Sequence, residues 1–414
     1  MNINFLQKTF SSLRHENFRL FFTGQSVSLL GTWMQQTALS WLIYDITGSK
    51  FLLGLVAALA TLPMLFLSVF GGVLADRYSK RNILIITQMF SMVLSLTLAL
   101  LVSFNCIEVW HIILISTLSG VSFAIEMPVR QSFFVDMAGQ EDLMNAIAMN
   151  STLINFARIF GPALAGIVMS KLGIKWCFIL NCLSFIAVLL ALFKMHLPQI
   201  QTTKIKESIW QYTIDGFVYV KNNKTILYLL ILMTIVGVFG WSYGILFPVI
   251  AKDIFNTGVQ GYSALVSANG AGALIGALFI AYVGNSTLKR FYVNAGLILF
   301  GIAVLMLAFC KIYWLSLVLI SLSGIGMIIY YNASTTLIQS IVDNSVRGRV
   351  MGIWSLIFGG TGPVGSIFVG AAAQYTSISD TLIISALVCI TSVVILSIFF
   401  QNKDFEDKKE PIQT

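Results

Sequence analysis

Twelve apolar windows of about 20 residues or more follow one another along the chain, separated by polar breaks that are mostly short. About 20 residues at a ~1.5 Å rise cross the ~30 Å hydrocarbon core of a bilayer. A backbone immersed in lipid must satisfy its own hydrogen bonds, so each window predicts a helix. The windows lie near 18–44, 51–75, 82–105, 109–128, 144–170 and 174–195, then near 226–251, 259–284, 290–310, 313–334, 347–374 and 378–401. The expected fold is an all-α membrane protein with twelve transmembrane helices in two pseudo-symmetric six-helix bundles.

Composition agrees. Charged residues are 10% of the chain and hydrophobic ones 57%, against roughly 25% charged in a soluble domain. The net charge of +8 does not point to nucleic acid, because the basic residues are spread over short loops with no patch of stacking aromatics. With the N-terminus placed inside, nineteen of the 25 basic residues fall in inner segments, five in outer ones, and Arg158 inside a span. The positive-inside rule therefore predicts that both termini are cytoplasmic. Residues 1–19 carry no apolar core with a small-residue cleavage site, so no removable signal peptide is expected. Cys106, Cys177, Cys182, Cys310 and Cys389 have neither metal spacing nor an even count, and are expected as small packing residues.

The longest polar break divides the chain into an N-terminal bundle (1–195), a cytoplasmic linker (196–225), a C-terminal bundle (226–401) and a disordered cytoplasmic tail (402–414). Trp210, Ile214, Phe217 and Val218 recur at helical spacing in the linker, predicting an amphipathic helix on the inner leaflet. Gly161-Pro162 recurs as Gly362-Pro363, and Gln131-Ser132 with Val135-Asp136 recurs as Gln339-Ser340 with Val342-Asp343. Parallel halves of this kind place a substrate site between them near the midplane.

Several residues stand out against the apolar background. Arg158 lies within a span, where a charge costs at least ~2.5–3.5 kcal/mol unless it faces a cavity or a partner. Glu126 and the backbone carbonyls freed by Pro162 are its candidate partners. Glu126 is the one carboxylate expected inside a span and could carry a proton across the cycle, although an ion pair with Arg130 one turn on is an equal alternative. In the first helix Gln25, Ser28, Thr32, Gln35 and Gln36 form a polar stripe, either a cavity wall or interhelical glue. In the second half Trp241, Tyr243, Pro248, Asn269, Tyr330, Tyr331 and Asn332 supply rings and amides suited to a large, partly apolar ligand. Gly161, Pro162 and Gly166 would kink the fifth helix and let it pack closely.

Gly72-x-x-x-Asp76-Arg77-x-x-Lys80-Arg81 resembles the signature between helices two and three of the major facilitator superfamily, with Ser79 where that pattern usually has glycine. Gly72 would allow close helix approach. Asp76 would sit at the positive N-terminal end of the eleventh helix, gaining ~0.3–1 kcal/mol there, close to Arg347 and Arg349. The resemblance implies that Asp76, Arg77, Arg81, Arg347 and Arg349 make a conformational latch. The Gly161-Pro162 segment resembles the motif of the superfamily's exporters and antiporters. The run from Asn17 to Ser49, together with Met127-Pro128-Val-Arg130-Gln131, Asn155-Phe-Ala-Arg158 and Arg347-Gly-Arg349, is similar to the bacterial branch that includes the enterobactin exporter and macrolide efflux proteins.

No enzyme is expected. His15, His111 and His196 are isolated, no metal cluster or catalytic triad is visible, and there is no phosphate-binding loop for ATP. The expected function is proton-coupled antiport that exports a small amphipathic molecule, siderophore or drug-like, by alternating access. The protein would act as a monomer in the lipid bilayer, without cofactor. A lysolipid or lipid flippase and a non-transporting membrane scaffold are the alternatives.

Overall fold

The computed structural model describes residues 10–195, 218–221, 223–283, 289–343 and 346–399, except the side chains of residues 69 and 76. The linker helix expected over 196–225 and the tail therefore fall largely outside the described residues, as does the Asp76 carboxylate.

Twelve long helices are present among them. They are α1 (Glu16–Thr47), α2 (Lys50–Arg77), α3 (Lys80–Ser103), α4 (Val109–Ala138), α5 (Leu143–Lys171) and α6 (Lys175–Lys194), then α7 (Lys224–Ile254), α8 (Gly258–Val283), α9 (Lys289–Phe309), α10 (Tyr313–Ile341), α11 (Arg347–Tyr375) and α12 (Ile378–Phe399). Eleven are both long and apolar enough to cross a membrane. The exception is α1, 32 residues long, whose polar stripe dilutes its apolar character. Its end is set by Gly48, which takes a left-handed φ of 60° and donates its N–H to the Tyr44 carbonyl, a conformation that favours glycine.

Two helices run past their expected ends. The fourth was expected over 109–128 and extends to Ala138, and the tenth was expected over 313–334 and extends to Ile341. Pro128 does not stop α4, because Phe133, Phe134 and Met137 beyond it are buried against Phe18 and Phe21 of α1. Asp136 thus joins Glu126 on the same helix, and Lys80 pairs with it at 2.9 Å.

The described residues group into two compact units. One lies within Met1–Ile205 and Phe247–Gly270, the other within Lys206–Leu246 and Ala271–Thr414. In the first, α2 packs on α4, α3 on α4 and α6, and α1 on α5 and α6. In the second, α8 packs on α10, α9 on α10 and α12, and α7 on α11 and α12. Adding six to each helix number converts one set of pairs into the other, so the weak sequence repeat corresponds to a repeated packing scheme.

Small residues create these contacts, as expected where lipid supplies no hydrophobic drive between helices. A Cβ on Gly161 would meet the Trp33 Cβ at 2.5 Å, and one on Gly166 would meet the Ser263 Cβ at 2.6 Å. Gly72 differs from expectation: nothing among the described residues lies within 4 Å of its Cβ position, whereas Gly71 faces Pro128 at 2.7 Å and the Ile125 carbonyl at 2.9 Å. The close approach of α2 to α4 belongs to the neighbouring glycine, about 100° round the helix.

The least regular span is α7. It is α-helical to Ile235, a π-helix over Val236–Gly240, a 3-10 helix over Trp241–Leu246, briefly α-helical, then π again over Ile250–Ile254. Its path passes from the second compact unit to the first between Leu246 and Phe247.

Candidate functional site

Charge inside the first unit concentrates on α4. Glu126 Oε1 accepts from Arg130 Nη1 at 3.1 Å, and both side chains are buried, at 7% and 6% exposure. Four-residue spacing on a helix, with the acid N-terminal to the base, is the favourable order for such a pair. Glu126 lies twelve residues before the end of α4, about 18 Å along it. Of its two expected partners, Arg130 rather than Arg158 holds it.

The pair has polar company. The Gln88 side chain of α3 faces Glu126. Phe18 and Phe21 of α1 touch Phe134 and Phe133 of α4 in antiparallel order. Gln25 and Ser28 of α1 are buried, and the side-chain carbonyl oxygens of Gln25 and Gln88 have no hydrogen-bond partner among the described residues. An unsatisfied buried acceptor costs about 1–3 kcal/mol. One of them, on Gln88, stands beside the ion pair.

The remaining stripe residues divide. Gln35 accepts from Ser95 of α3 at 2.6 Å and from Asn181 of α6 at 2.9 Å, which is interhelical glue and not a cavity wall. Thr32 and Gln36 are exposed and stay available for contact.

Arg158 of α5 donates to the Asn269 side-chain carbonyl of α8 at 3.2 Å, and Ser267 of α8 donates to the Ile159 carbonyl at 3.0 Å. Two positions within a single turn of α8 are thereby tied to α5 around the guanidinium.

At the C-terminal end of α1 a second cluster appears that sequence reasoning missed. Lys252 pairs with Asp45, and its ammonium also lies 5.9 Å from the Trp41 ring and 5.8 Å from the Tyr44 ring. The Tyr44 hydroxyl donates to Asp253, and Trp41 stacks on Tyr262 at 5.8 Å. A usable signal did exist: Asp45 and Asp253 are separated by the same 208 positions as Gln131 and Gln339.

In the second unit Trp241 and Tyr331 come together with Phe358 and Trp354 of α11. Tyr243 does not join them. It is 4% exposed, its hydroxyl bonds Ser323 and its ring packs edge-on against Phe300, which makes it a packing residue. Asn332 is half-buried on α10.

Among the latch residues, Arg81 is engaged otherwise than expected. Its Nε and Nη2 donate to the carbonyls of Leu192 and Phe193 at 2.6 and 2.8 Å, closing the C-terminal end of α6, where a cation is favoured by the helix dipole. Arg77 and Arg347 are exposed, and Arg349 is half-buried.

A short 3-10 turn at Ser11–Arg14 docks on the start of α5. Ser12 donates twice to Asn145, at 3.1 and 2.7 Å, while Ser11 and His15 both engage Asp142. The Ser11 hydroxyl, and then His15, hold the Asp142 carboxyl below its ordinary value. A depressed carboxyl contributes stability above its unfolded value and loses it as pH falls through the folded one. The turn is therefore expected to stay docked at neutral pH and to release in acid, below about pH 4. At pH 7 Asp142→Ala should speed tryptic cleavage after Arg14 about tenfold, for the loss of roughly one net hydrogen bond; unchanged cleavage would contradict the docking.

The whole chain matches one protein family. Residues 7–413 fit the family described as transmembrane secretion effector. The chain belongs to this family, within the major facilitator superfamily. It is 29% identical to the staphyloferrin A transporter of Staphylococcus aureus, covering 95% of this chain and 98% of that one. It is 22% identical to macrolide efflux protein A of Streptococcus pyogenes, over 92% and 96% of the two chains. Against the multidrug efflux pump Tap of Mycolicibacterium fortuitum the identity is 23%, over 84% and 87%. The nucleoside transporter NupG superposes with a TM-score of 0.72 at 16% identity, over 94% of this chain and 99% of that one. A bacterial homologue of the lysosomal transporter Spinster, in an inward-facing conformation, gives 0.71 at 13%, over 96% and 98%. These two structures share the fold. The protein is thus a multi-pass membrane transporter of the major facilitator superfamily and not an enzyme.

Proposed function

We propose that this transporter exports a small amphipathic molecule, siderophore or drug-like, by alternating access, in exchange for protons. The full-length family match carries the reading, because the relatives it brings are named as a siderophore transporter and as efflux proteins. Both termini are cytoplasmic in this reading, which the 19-to-5 bias of basic residues supports, and the membrane is the bacterial inner membrane. The functional halves are 1–195 and 226–401, and the protein works as a monomer.

Glu126 is the proton carrier of this scheme. Arg130 neutralises it while it is charged, and protonation releases that pairing. Such a release changes the charge on α4 without moving a large group. Arg158, held by Asn269, and the exposed Thr32 and Gln36 belong to the cargo path. Trp241, Tyr331 and Asn332 are its contacts in the second half. On the outer face the Asp45–Lys252 and Tyr44–Asp253 pairs close the exit.

The test uses inside-out vesicles loaded by transport of a fluorescent macrolide conjugate, with and without an imposed proton gradient. Gradient-dependent accumulation in the vesicle lumen is the expected result. Equal rates in both conditions would reject proton coupling, and no accumulation with any siderophore or drug-like cargo would reject export.

A further inference from the structure

Three helices of the second unit each bring one half-buried aromatic ring to a common point. The Phe358 ring lies 5.3 Å from Trp241 at 79° and 5.2 Å from Tyr331 at 48°, and Trp241 lies 6.0 Å from Tyr331 at 53°. Phe358 is eleven residues into α11 and Tyr331 ten residues from the end of α10, so each ring sits about 15–17 Å along its helix from that end. Rings that merely face lipid diverge from the outside of single helices. These converge from α7, α10 and α11.

The backbone is shaped to bring them there. The π-helix Val236–Gly240 ends on the residue before Trp241, and such departures from α-helix recur at functional sites. Gly365 of α11 lies 2.5 Å, measured from its Cβ position, from the Val238 carbonyl, so α11 packs closely on the π-helical stretch of α7.

Behind the rings stands Trp354, 2% exposed and 6.0 Å from Tyr331. Its indole N–H interacts with the Tyr331 hydroxyl without reaching hydrogen-bond geometry, and has no other partner among the described residues. A buried donor left this way is unfavourable. It suits an acceptor that arrives with a ligand.

Charge at this depth is missing. Every Asp, Glu, Lys and Arg described in the second unit lies in a loop or within a turn of a helix end: Lys221, Lys224, Lys289, Arg290, Lys311, Asp343, Arg347, Arg349 and Asp380. Selection here works through π surface and one donor, not through ion pairing.

We propose that Trp241, Tyr331 and Phe358 form a specificity subsite for a planar aromatic ring of the exported molecule, with the Trp354 N–H donating to an acceptor oxygen on the ring's edge. This assignment rests on the export reading and adds Phe358 and Trp354 to it.

The test measures binding of radiolabelled 7-methoxycoumarin, a planar ring with an edge carbonyl, and of its fully ring-saturated analogue, to the transporter in nanodiscs. The wild type should prefer the planar probe about three- to tenfold, as expected for one or two ring contacts. Phe358→Leu and Trp241→Leu should erase that preference. Trp354→Phe should weaken the coumarin severalfold yet leave naphthalene, which lacks the acceptor, unchanged. Tyr375→Phe, at the exposed end of α11 outside the subsite, should keep the preference. A wild type without ring preference, or a Phe358→Leu protein that retains it, overturns the subsite. Ring-selective binding without vesicle transport would leave the subsite standing and count against export, whereas transport without ring preference would do the reverse.

Discussion

Replacing Arg130 by alanine is expected to destabilise the transporter by about 3–5 kcal/mol and to abolish proton-driven export, the largest single-residue effect foreseen. Breaking a buried pair costs this much because the remaining charge loses its compensation. Here that charge is Glu126, 7% exposed and faced by Gln88, whose side-chain carbonyl has no partner among the described residues. An amide oxygen cannot stabilise a carboxylate. Joint replacement, Glu126→Leu with Arg130→Met, removes both charges and should recover most of the stability, since apolar substitution of a buried pair is often neutral or better. It should recover no proton coupling. Thermal unfolding in detergent reads the first quantity and gradient-driven uptake into inside-out vesicles the second. If Arg130→Ala kept wild-type stability, the fold would not depend on the pair. If the double variant still exported in proportion to the proton gradient, Glu126 would not be the carrier.

The topology could be read from sequence because each span announces itself by length and apolarity, both local properties. Most expected helix ends lie within a few residues of those observed. The exceptions, α4 and α10, share one cause. Arg130-Gln131-Ser132 and Gln339-Ser340 looked like loop, but a helix leaving the bilayer keeps its internal hydrogen bonds while polar side chains turn outward, and Phe133, Phe134 and Ile338 still find cover.

Partners were harder to read than positions. That Gln35 is polar says it must meet protein or water; that it meets Ser95 and Asn181 depends on how α1 stands against α3 and α6. Gly71 and Gly72 are adjacent in sequence yet face about 100° apart, and only the packing of α4 decides which is needed. Tyr243 and Tyr331 are equally aromatic, and a bond to Ser323 takes the first into the core. Arg130 is legible as a partner for Glu126, because four-residue spacing is visible in a sequence. The Asp45–Lys252 pair was not, because it joins residues 207 apart.

That pair supports the second large effect. Asp45→Cys with Lys252→Cys, in a background with the exposed Cys106 replaced by serine, is expected to lose transport completely when bridged by a cleavable bis-maleimide and to regain it on reduction. The reach of a lysine makes a direct disulfide too short, since bridged Cα atoms stand 4.4–6.8 Å apart, so a longer reagent is required. As an ion pair Asp45–Lys252 is weak: with side chains 49% and 39% exposed, it contributes only about 0–1 kcal/mol in water. Its position matters more than its strength, because Trp41 stacks on Tyr262 beneath it and Tyr44 holds Asp253 beside it. A clasp that must open in each cycle should be weak enough to break and placed where a covalent link forbids opening. Lys252→Glu, which sets three carboxylates side by side, should open the clasp without a reagent and raise outside labelling of a cysteine placed at Gln36. Transport that continues in the bridged protein would show that the exit does not run past this end of α1.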